Sequence, residues 1–256
     1  MQLRFKKKVI NKYNADYHYC EKCGYLSAYH PTWLDEAYSS AIASTDTGLV
    51  MRNTLLARKI AALLYFVFNE RGQGRYLDAA GGYGMLTRQM RDYGFDFLWS
   101  DKYCDNLLAR GFESGAHMAP FSAVTAIEVM EHLVDPVSFV QETLANAQSY
   151  TFIFTTELFE GAPPDPDQWW YYSFETGQHI AFYQRKTLEA LAQRIGLNFY
   201  SAGGIHIFTK AHLSRGKLNI SVSRFSLLLA KWAQHSLGSK LIPDHQLMVE
   251  RSRIKD

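Results

Sequence analysis

Two histidines and two glutamates are the side chains best suited to proton transfer in this sequence. Glu128, Glu131 and His132 directly follow an apolar stretch, and His179 lies in a long segment without a regular pattern. Histidine ionises near neutral pH, so His179 and His132 are candidate general bases, and Glu128 is a further catalytic candidate. A solvated loop is the structural alternative, but two acids and a histidine directly after a core strand are more typical of a cleft.

We expect His179, rather than His132, to act as the base. Glu175 and Gln178 are its neighbours in sequence and are placed to orient its ring. His132 follows a predicted strand more closely, and its alternative roles are to contact the cofactor or to hold the loop.

An acid and a glycine turn form a second chemical feature, in the stretch RYLDAAGGYGMLTRQM from Arg75 to Met90. An apolar strand ends in Asp78, and a helix opens directly after the turn. Open α/β sheets bind ligands at the carboxyl ends of their strands, where the first N–H groups of the helix are unpaired. Gly81, Gly82 and Gly84 allow positive φ and let a ligand approach the main chain without meeting a Cβ. Asp78 is then a fixed acceptor at the turn.

The glycine spacing separates the two cofactors that commonly use such a turn, a dinucleotide and S-adenosylmethionine. The dinucleotide pattern G-x-G-x-x-G needs a third small residue, and Thr87 stands in its place. The pattern D-x-G-x-G-x-G fits better, with Asp78 as the acid and with Gly82 and Gly84 as the last two glycines. Ala80 replaces the first glycine, and we expect it to fit because alanine is accommodated in turns with negative φ.

A second acid indicates where a ribose would bind. Asp101 ends the next predicted strand, Phe95–Ser100, and lies 19 residues after Gly82. An acid about 20 residues after the turn accepts the ribose hydroxyls in nucleotide-binding α/β folds, although a helix N-cap is the structural alternative. A short helix is predicted over 106–110, and Phe112 after it would offer the adenine an apolar face. The predicted cofactor-binding residues are Asp78, Ala80, Gly81, Gly82, Tyr83, Gly84, Asp101, Lys102, Phe112, Ile127 and Glu128.

A third stretch, FSAVTAIEVMEHLVDP, combines an apolar strand with the pattern E-V-x-E-H-x-x-D-P. Asp135 and Pro136 are strong start signals for the next helix. With the glycine turn, Asp101 and the segment WWYY...ETGQH, this pattern makes the chain from about Tyr17 to Lys210 resemble a bacterial family of class I S-adenosylmethionine (SAM)-dependent methyltransferases.

The resemblance implies an α/β fold: a Rossmann-like, seven-stranded, mostly parallel sheet with helices on both faces, plus an N-terminal extension. It implies SAM as the cofactor and a small-molecule acceptor, with a sugar or glycan-related metabolite as the expected class. The expected reaction is an in-line displacement at the sulfonium methyl, in which the enzyme mainly aligns acceptor, methyl and sulfur.

Three parts are predicted along the chain. Residues 1–50 form an N-terminal extension with a cysteine pair and a candidate lid, residues 51–212 the SAM-binding domain, and residues 213–256 a C-terminal helical tail with an amphipathic helix near 225–235. Tyr38 and Arg52 are placed to reach over the cofactor, although a helical clamp without ligand contact fits equally well. The helix that leads into the first strand of the domain carries an apolar stripe at Leu56, Ile60, Leu63, Leu64 and Val67.

Four aromatic residues in a row, Trp169 to Tyr172, lie in the long irregular segment after the fifth predicted strand. Loops of this length in a compact domain are usually functional. Trp169, Trp170, Tyr171 and Glu175 are therefore predicted to bind the acceptor, with the rings as one wall of its pocket. The alternative is that two of the four rings are core, and we expect this of at least one tryptophan.

Composition excludes several classes of partner. With 27 Lys and Arg against 25 Asp and Glu, the net charge of +2 gives no broad electrostatic footprint for nucleic acid. The longest apolar run, 60–68, is far too short to span a bilayer, so no membrane insertion is expected. Three cysteines do not make a disulfide framework, which favours a cytoplasmic location. The run Lys6–Lys8 is interpreted as a solvated end.

Cys20-x-x-Cys23 has the shape of one zinc knuckle. A structural zinc needs four ligands, and only His18 and His30 are close enough in sequence to complete the set. We therefore expect free thiols held by packing and no metal site.

Two other classes share the central motif. An NAD-dependent oxidoreductase or epimerase would use the same turn but would prefer the third small residue. A non-catalytic scaffold would keep the fold and bind neither cofactor.

Overall fold

The computed structural model describes residues 1–38 and 46–254. The strands of these residues are β1 (Gln2–Val9), β2 (Tyr13–Tyr19), β3 (Leu26–Ala28), β4 (Arg75–Ala79), β5 (Asp96–Ser100), β6 (Ala123–Ala126), β7 (Thr151–Phe154), β8 (Ala181–Phe182), β9 (Asn198–Ala202) and β10 (Ile205–Thr209). The α-helices are α1 (Leu34–Ala37), α2 (Leu49–Phe66), α3 (Met85–Asp92), α4 (Pro136–Ala147), α5 (Arg185–Ile195), α6 (Arg215–Val222), α7 (Ser226–Leu237) and α8 (Leu241–Arg253). Single turns of 3₁₀-helix lie at Ala116–Met118, Met130–His132 and Trp170–Tyr172.

The central sheet has the strand order β5-β4-β6-β7-β10-β9. β4 pairs in parallel with β5 and β6, and β6 with β7, whereas β10 is antiparallel to both of its neighbours. The predicted α/β class with a mostly parallel sheet is therefore confirmed. In the described part of the chain the sheet has six strands rather than seven, and a single parallel bridge from Trp99 to Glu113 lies beyond β5.

Helices pack on both faces of this sheet because successive strand residues point to opposite sides. In β4, Tyr76 faces the cluster built by α2, α3, α6 and α7, and Leu77 faces the cluster built by α4 and α5. The predicted stripe of α2 lies in the first of these clusters, where Ile60, Leu63 and Leu64 are fully buried. The two clusters hold the carboxyl ends of the parallel strands at one edge.

A second, antiparallel sheet was missed by the sequence prediction. Its order is β1-β2-β3-β8, and its core is aromatic. Lys6 and Lys8 are exposed, as predicted, but the three lysines belong to β1 rather than to a free end, and Lys6 pairs with Asp16 at 3.2 Å and Lys7 with Asp167. β8 comes from the predicted SAM-binding part, so one sheet joins this part to the N-terminal extension. The predicted domain limits at residues 50 and 212 stay predictions.

The C-terminal part forms three helices, α6, α7 and α8, where one was predicted near 225–235. Arg91 of α3 anchors α8 through two hydrogen bonds of 2.8 Å to the Asp244 carboxylate. Both side chains are more than nine-tenths buried, and Arg88 also reaches Asp244 at 2.8 Å. The tail is thus part of the packed domain.

The predicted helix at 106–110 is absent from the described structure. The Asn106 side chain instead accepts a hydrogen bond from the Ala109 N–H at 2.9 Å and donates to the Ala109 carbonyl at 2.8 Å. Asparagine competes with helical hydrogen bonding in this way. No helix among the described residues is long and apolar enough to cross a membrane.

Candidate active site

The turn after β4 bends back on itself through three left-handed residues. Ala80, Gly82 and Gly84 have φ of 54°, 53° and 84°. The expectation that Ala80 has a negative φ was wrong: this alanine adopts a left-handed conformation that is usually occupied by glycine. Gly81 serves a different purpose, because a Cβ there would lie 2.8 Å from both Asp78 and Trp99.

Asp78 is buried beneath this turn. Its carboxylate accepts hydrogen bonds from the hydroxyls of Thr87 at 2.9 Å and Thr125 at 2.8 Å. Burial raises the pKa of Asp78 to about 6, against the lowering effect of the two threonine hydroxyls. Neither threonine was predicted as part of the site; the position of Thr87 on the first turn of α3 was the available signal.

Asp101 lies at the carboxyl end of β5 and is tied to the glycine turn. One carboxylate oxygen accepts from the Gly82 N–H at 2.9 Å, and the other accepts from the N–H groups of Tyr103 and Cys104 at 2.7 and 2.8 Å. Each oxygen has two lone pairs, so three of the four are used and one remains, on the oxygen that the Gly82 N–H contacts, for a ligand hydroxyl. The assignment of Asp101 to the ribose stays a prediction.

The other predicted cofactor residues differ in their exposure. Lys102 extends over the Tyr103 ring, at 5.2 Å from its centroid, and Ile127 packs partly buried against the core. The Tyr83 carbonyl accepts hydrogen bonds from the N–H groups of residues 107 and 108. Phe112 is 5% exposed and covered by the Arg91 guanidinium at 3.8 Å, which leaves little of its ring for an adenine.

Glu128 follows β6, at a φ of 54° that non-glycine residues rarely adopt. Thr155 holds it on both sides, since its hydroxyl accepts from the Glu128 N–H at 2.9 Å and donates to the carboxylate at 2.6 Å. Arg52 approaches the carboxylate at 3.8 Å and is itself paired with Asp46 at 2.8 Å. Burial and the charge of Glu131 raise the pKa of Glu128. Arg52 thus reaches into this region as the lid hypothesis expects; residues 39–45 of that segment lie outside the described residues.

Glu131 is fully buried one helical turn further on. Burial raises the pKa of its carboxyl, against the effect of His179 and of the hydroxyls of Tyr171 and Thr156. Neither carboxylate oxygen has a hydrogen-bond partner of good geometry among the described residues.

His132 and His179 come together although 46 residues separate them in sequence. Their rings lie 5.0 Å apart at 82°. The Nδ1 atom of His132 is 3.0 Å from the Gln178 carbonyl, and that of His179 is 2.7 Å from the Tyr171 carbonyl. The expectation that Glu175 and Gln178 side chains orient His179 was therefore wrong, because a main-chain carbonyl does so. Burial, and then His179, lower the pKa of His132 to about 3.

A cleft of about 250 Å³ opens beside Glu128 and Tyr171; Glu131, His132 and His179 are not among its lining residues, and His179 adjoins it through the Tyr171 ring, with 4.7 Å between ring centroids. Its lining residues are Arg52, Leu55, Leu56, Lys59, Glu128, Thr155, Thr156, Glu157, Trp170, Tyr171, Gly203 and Gly204. A larger cleft of about 540 Å³ lies at the amino end of β7, away from the glycine turn. Because α/β sheets bind ligands at the carboxyl ends of their strands, we assign the chemistry to the smaller one.

The aromatic row divides between core and surface. Tyr171 and Tyr172 are buried in the N-terminal core, Trp169 packs against it, and Trp170 is 76% exposed beside the cleft. The expected wall of four rings is thus reduced to Trp170 and the edge of Tyr171, while Glu175 accepts a hydrogen bond from Ser173 of its own turn. Tyr38 stacks on Tyr103 with 6.0 Å between ring centroids and lies 6.1 Å from the His132 ring.

Cys20 and Cys23 are free thiols that hydrogen-bond to each other. His18 stacks on Tyr29 with 4.7 Å between ring centroids, and His30 meets the edge of the same ring. Across the described ranges, the group of three or more His, Cys, Asp or Glu residues with converging ligand atoms is Glu131, His132 and His179.

Comparisons with known proteins bear on the fold and on the family. No curated protein is similar enough in sequence to indicate a relative. The fold is that of a plantazolicin methyltransferase in complex with SAH (10% identity, 81% of this chain and 89% of that chain, TM-score 0.50). Similar structures include magnesium protoporphyrin IX methyltransferase from Synechocystis PCC 6803 with bound SAH (11% identity, 70% and 94%, 0.46) and a SAM-dependent methyltransferase, possible histamine N-methyltransferase, from Thermotoga maritima (12%, 71% and 98%, 0.44).

The family model described as "Methyltransferase domain" matches residues 51–202, more than half of the chain. That range contains the glycine turn, Asp101 and the Glu128–His132 segment. The match sets aside the NAD-dependent and non-catalytic alternatives. The chain belongs to the methyltransferase domain family and is a class I SAM-dependent methyltransferase.

Proposed function

We propose that the protein methylates a hydroxyl group of a small molecule, a sugar or glycan-related metabolite. The observation that carries the proposal is a shared edge of the sheet. The glycine turn follows β4, Asp101 follows β5 and Glu128 follows β6, and these three strands are parallel neighbours. SAM would lie on the turn with its ribose on Asp101, and its methyl would face the cleft next to Glu128.

The acceptor would bind in the 250 Å³ cleft. Trp170 offers an exposed ring at its rim, suited to the apolar face of a sugar, and Lys59, Glu128 and Glu157 supply polar groups for hydroxyls. A mostly apolar cleft with a few convergent polar groups is typical of small-ligand sites. Proline at 163, 164 and 166 stiffens the segment that leads to Trp170, which lowers the cost of ordering it.

In the reaction, the acceptor oxygen bonds to the methyl carbon as the bond from that carbon to sulfur breaks. The electron pair of the broken bond stays on sulfur, so the sulfonium becomes the neutral thioether SAH, and the acceptor proton passes to a base. Alignment of the three atoms supplies much of the acceleration. His179 is the proposed base, since a histidine with a pKa of about 3, as for His132, accepts protons poorly at neutral pH.

A transfer assay with labelled SAM tests the acceptor class. We expect turnover with members of a nucleotide-sugar panel and a rise of about tenfold or more in acceptor KM for Trp170→Ala at unchanged SAM affinity. Trp232→Ala is the matched control, because Trp232 is also exposed but lies on α7. Turnover of small phenols alone, or an unchanged KM in Trp170→Ala, would remove the support for a sugar.

The base is tested at saturating SAM. His179→Ala should lose roughly 10²- to 10⁴-fold in kcat and keep its SAM affinity. His212→Ala, an exposed histidine, should keep full turnover. Full turnover in His179→Ala would move the role to another group.

A further inference from the structure

We propose that Glu131, His132 and His179 form a binding site for one divalent transition-metal cation. Each residue offers one ligand atom, and the three atoms lie within 4.8 Å of one another. Distances of this size need only small side-chain shifts for all three atoms to reach a common cation at about 2 Å. The proposal departs from our sequence expectation that the chain holds no metal.

The hydrogen bonds of both histidines prepare them as ligands. Each Nδ1 lies within hydrogen-bond distance of a main-chain carbonyl, that of Gln178 for His132 and that of Tyr171 for His179. A carbonyl only accepts, so each Nδ1 carries the proton and each Nε2 keeps its lone pair. Metal-binding histidines almost always donate their other ring N–H in this way, which fixes both tautomer and ring orientation.

Glu131 supplies the second, independent observation. Its carboxylate is fully buried, and neither oxygen has a hydrogen-bond partner of good geometry within the described ranges. A buried carboxylate without well-formed hydrogen bonds is costly, and buried charges are normally paired or coordinate a metal. A cation between Glu131 and the two Nε2 atoms would satisfy it.

The donor set indicates the class of metal. Two imidazole nitrogens and one carboxylate oxygen suit Mn²⁺, Fe²⁺, Co²⁺ or Zn²⁺, whereas Mg²⁺ and Ca²⁺ prefer oxygen alone. Three protein ligands leave positions open for a ligand oxygen. Glu128 adds a further negative charge at the border of the cluster, since its electrostatic interactions include both Glu131 and His179.

A role of the cation in the reaction rests on the proposed function and on Tyr171, which lines the acceptor cleft and lies 4.7 Å from the His179 ring, so that the cluster adjoins the wall of the cleft. An acceptor hydroxyl bound to the cation would lose its proton more readily, because a divalent cation lowers the pKa of a bound O–H group. His179 would then hold the cation and would not itself take the proton, which would pass to Glu128 or to water. The loss of turnover in His179→Ala is expected on either account, so metal binding must be measured directly.

Equilibrium dialysis of the metal-stripped full-length protein against Co²⁺ or Mn²⁺ tests the site without an acceptor. We expect one cation per chain, and a loss of at least about tenfold in affinity for Glu131→Gln and His179→Ala. Glu189→Gln and His212→Ala are matched controls, exposed and away from the cluster, and should bind as the parent does. Circular dichroism and SAM titration verify that each variant is folded.

The cysteine pair is the competing site, and Cys20→Ser with Cys23→Ser separates the two. The double variant should keep its bound Co²⁺, with the weak visible bands of nitrogen and oxygen ligands and no thiolate charge-transfer band. The proposal is overturned if the parent binds none of the four cations with Kd below about 1 mM, or if Glu131→Gln and His179→Ala bind as tightly as the parent. SAM titration of the metal-free parent reports on the proposed function separately, so a protein that binds Co²⁺ but not SAM would keep this site and lose that function.

Discussion

A single buried carboxylate under the glycine turn makes stability depend on pH. The pKa of Asp78 rises from its ordinary value near 3.8 to about 6 on folding, so the folded state binds this proton more tightly than the unfolded state. Protonation of Asp78 therefore contributes to the stability of the folded state in full below about pH 4, and this contribution is lost as the pH rises through about 6. About two pKa units correspond to a cost of about 3 kcal/mol in the free energy of unfolding above that range.

Asp78→Asn should remove this dependence, because the amide keeps the shape and carries no charge. In urea unfolding without SAM, we expect the free energy of unfolding of the variant to exceed that of the parent by up to about 3 kcal/mol at pH 8 and to equal it at pH 4. Asp105→Asn changes an exposed carboxylate of the same region and should show no such trend. A difference between Asp78→Asn and parent that is constant with pH would mean that Asp78 is not the titrating group.

Asp101 is the residue on which we expect the affinity for SAM to depend. On the ribose assignment, Asp101→Ala removes a charged acceptor, and a hydrogen bond to a charged group is worth about 1.5 to 3 kcal/mol. SAM affinity, measured by calorimetry, should fall at least about tenfold. Asp101→Asn keeps one of the two acceptor oxygens that the N–H groups of Gly82 and Tyr103 contact and should also weaken SAM binding, while Asp105→Ala should not. Unchanged affinity in both Asp101 variants would refute the assignment.

At the scale of the element, the turn after β4 stores strain in Ala80. An alanine in the left-handed region destabilises the folded state by about 1 to 2 kcal/mol. Glycine removes this strain, but its greater freedom in the unfolded chain offsets about 0.4 to 1 kcal/mol of the gain. Ala80→Gly should therefore stabilise the fold by about 0.5 to 1 kcal/mol in urea unfolding. Ala79→Gly, one residue earlier with negative φ, should destabilise it. If both variants lose stability alike, the turn is not strained at Ala80.

The elements that the sequence predicted are those with local signals. The apolar stripe of α2, the Asp135 cap and Pro136 start of α4, and Gly196 after α5 all lie in short stretches of chain. The left-handed φ of Ala80 was not visible, because alanine rarely adopts it and the residue type therefore gives no sign of it.

The N-terminal sheet was missed for the same reason, at a longer range. β3 and β8 are paired through residues more than 150 positions apart. The local pattern of either strand does not predict which strand it pairs with. Within the site, the sequence indicated Glu128, His132 and His179 as catalytic candidates but did not reveal that Glu131 converges with the two histidines, or that both rings are held by main-chain carbonyls. Those carbonyls lie in the irregular segment before β8, where side-chain periodicity carries no information.

In the whole molecule, α6 and α7 pack on the central sheet through apolar side chains, and α8 is in addition tied to α3 by the buried ion pair between Asp244 and Arg91. Asp244→Ala would leave Arg91 buried with Asp96 and the Phe97 carbonyl as its remaining partners. Breaking a buried pair costs about 3 kcal/mol or more, and the remaining partners favour the low end of that range. Glu189→Ala, which breaks the exposed pair with Arg185, should cost less than about 0.5 kcal/mol. Equal losses for the two variants in thermal or urea unfolding would show that α8 is not anchored by Asp244.

The pairing of β3 with β8 also sets when the molecule can become active during synthesis. His179 lies two residues before β8, and Trp33, after β3, donates a hydrogen bond to the Gly177 carbonyl at 2.9 Å. The segment that carries His179 is therefore closed by the pairing of one strand with another that is synthesised more than 150 residues later. Contacts of such sequence separation form slowly, and domains fold as their residues emerge. His179 is expected to reach its place in the site only after β8 has been synthesised and has paired with β3.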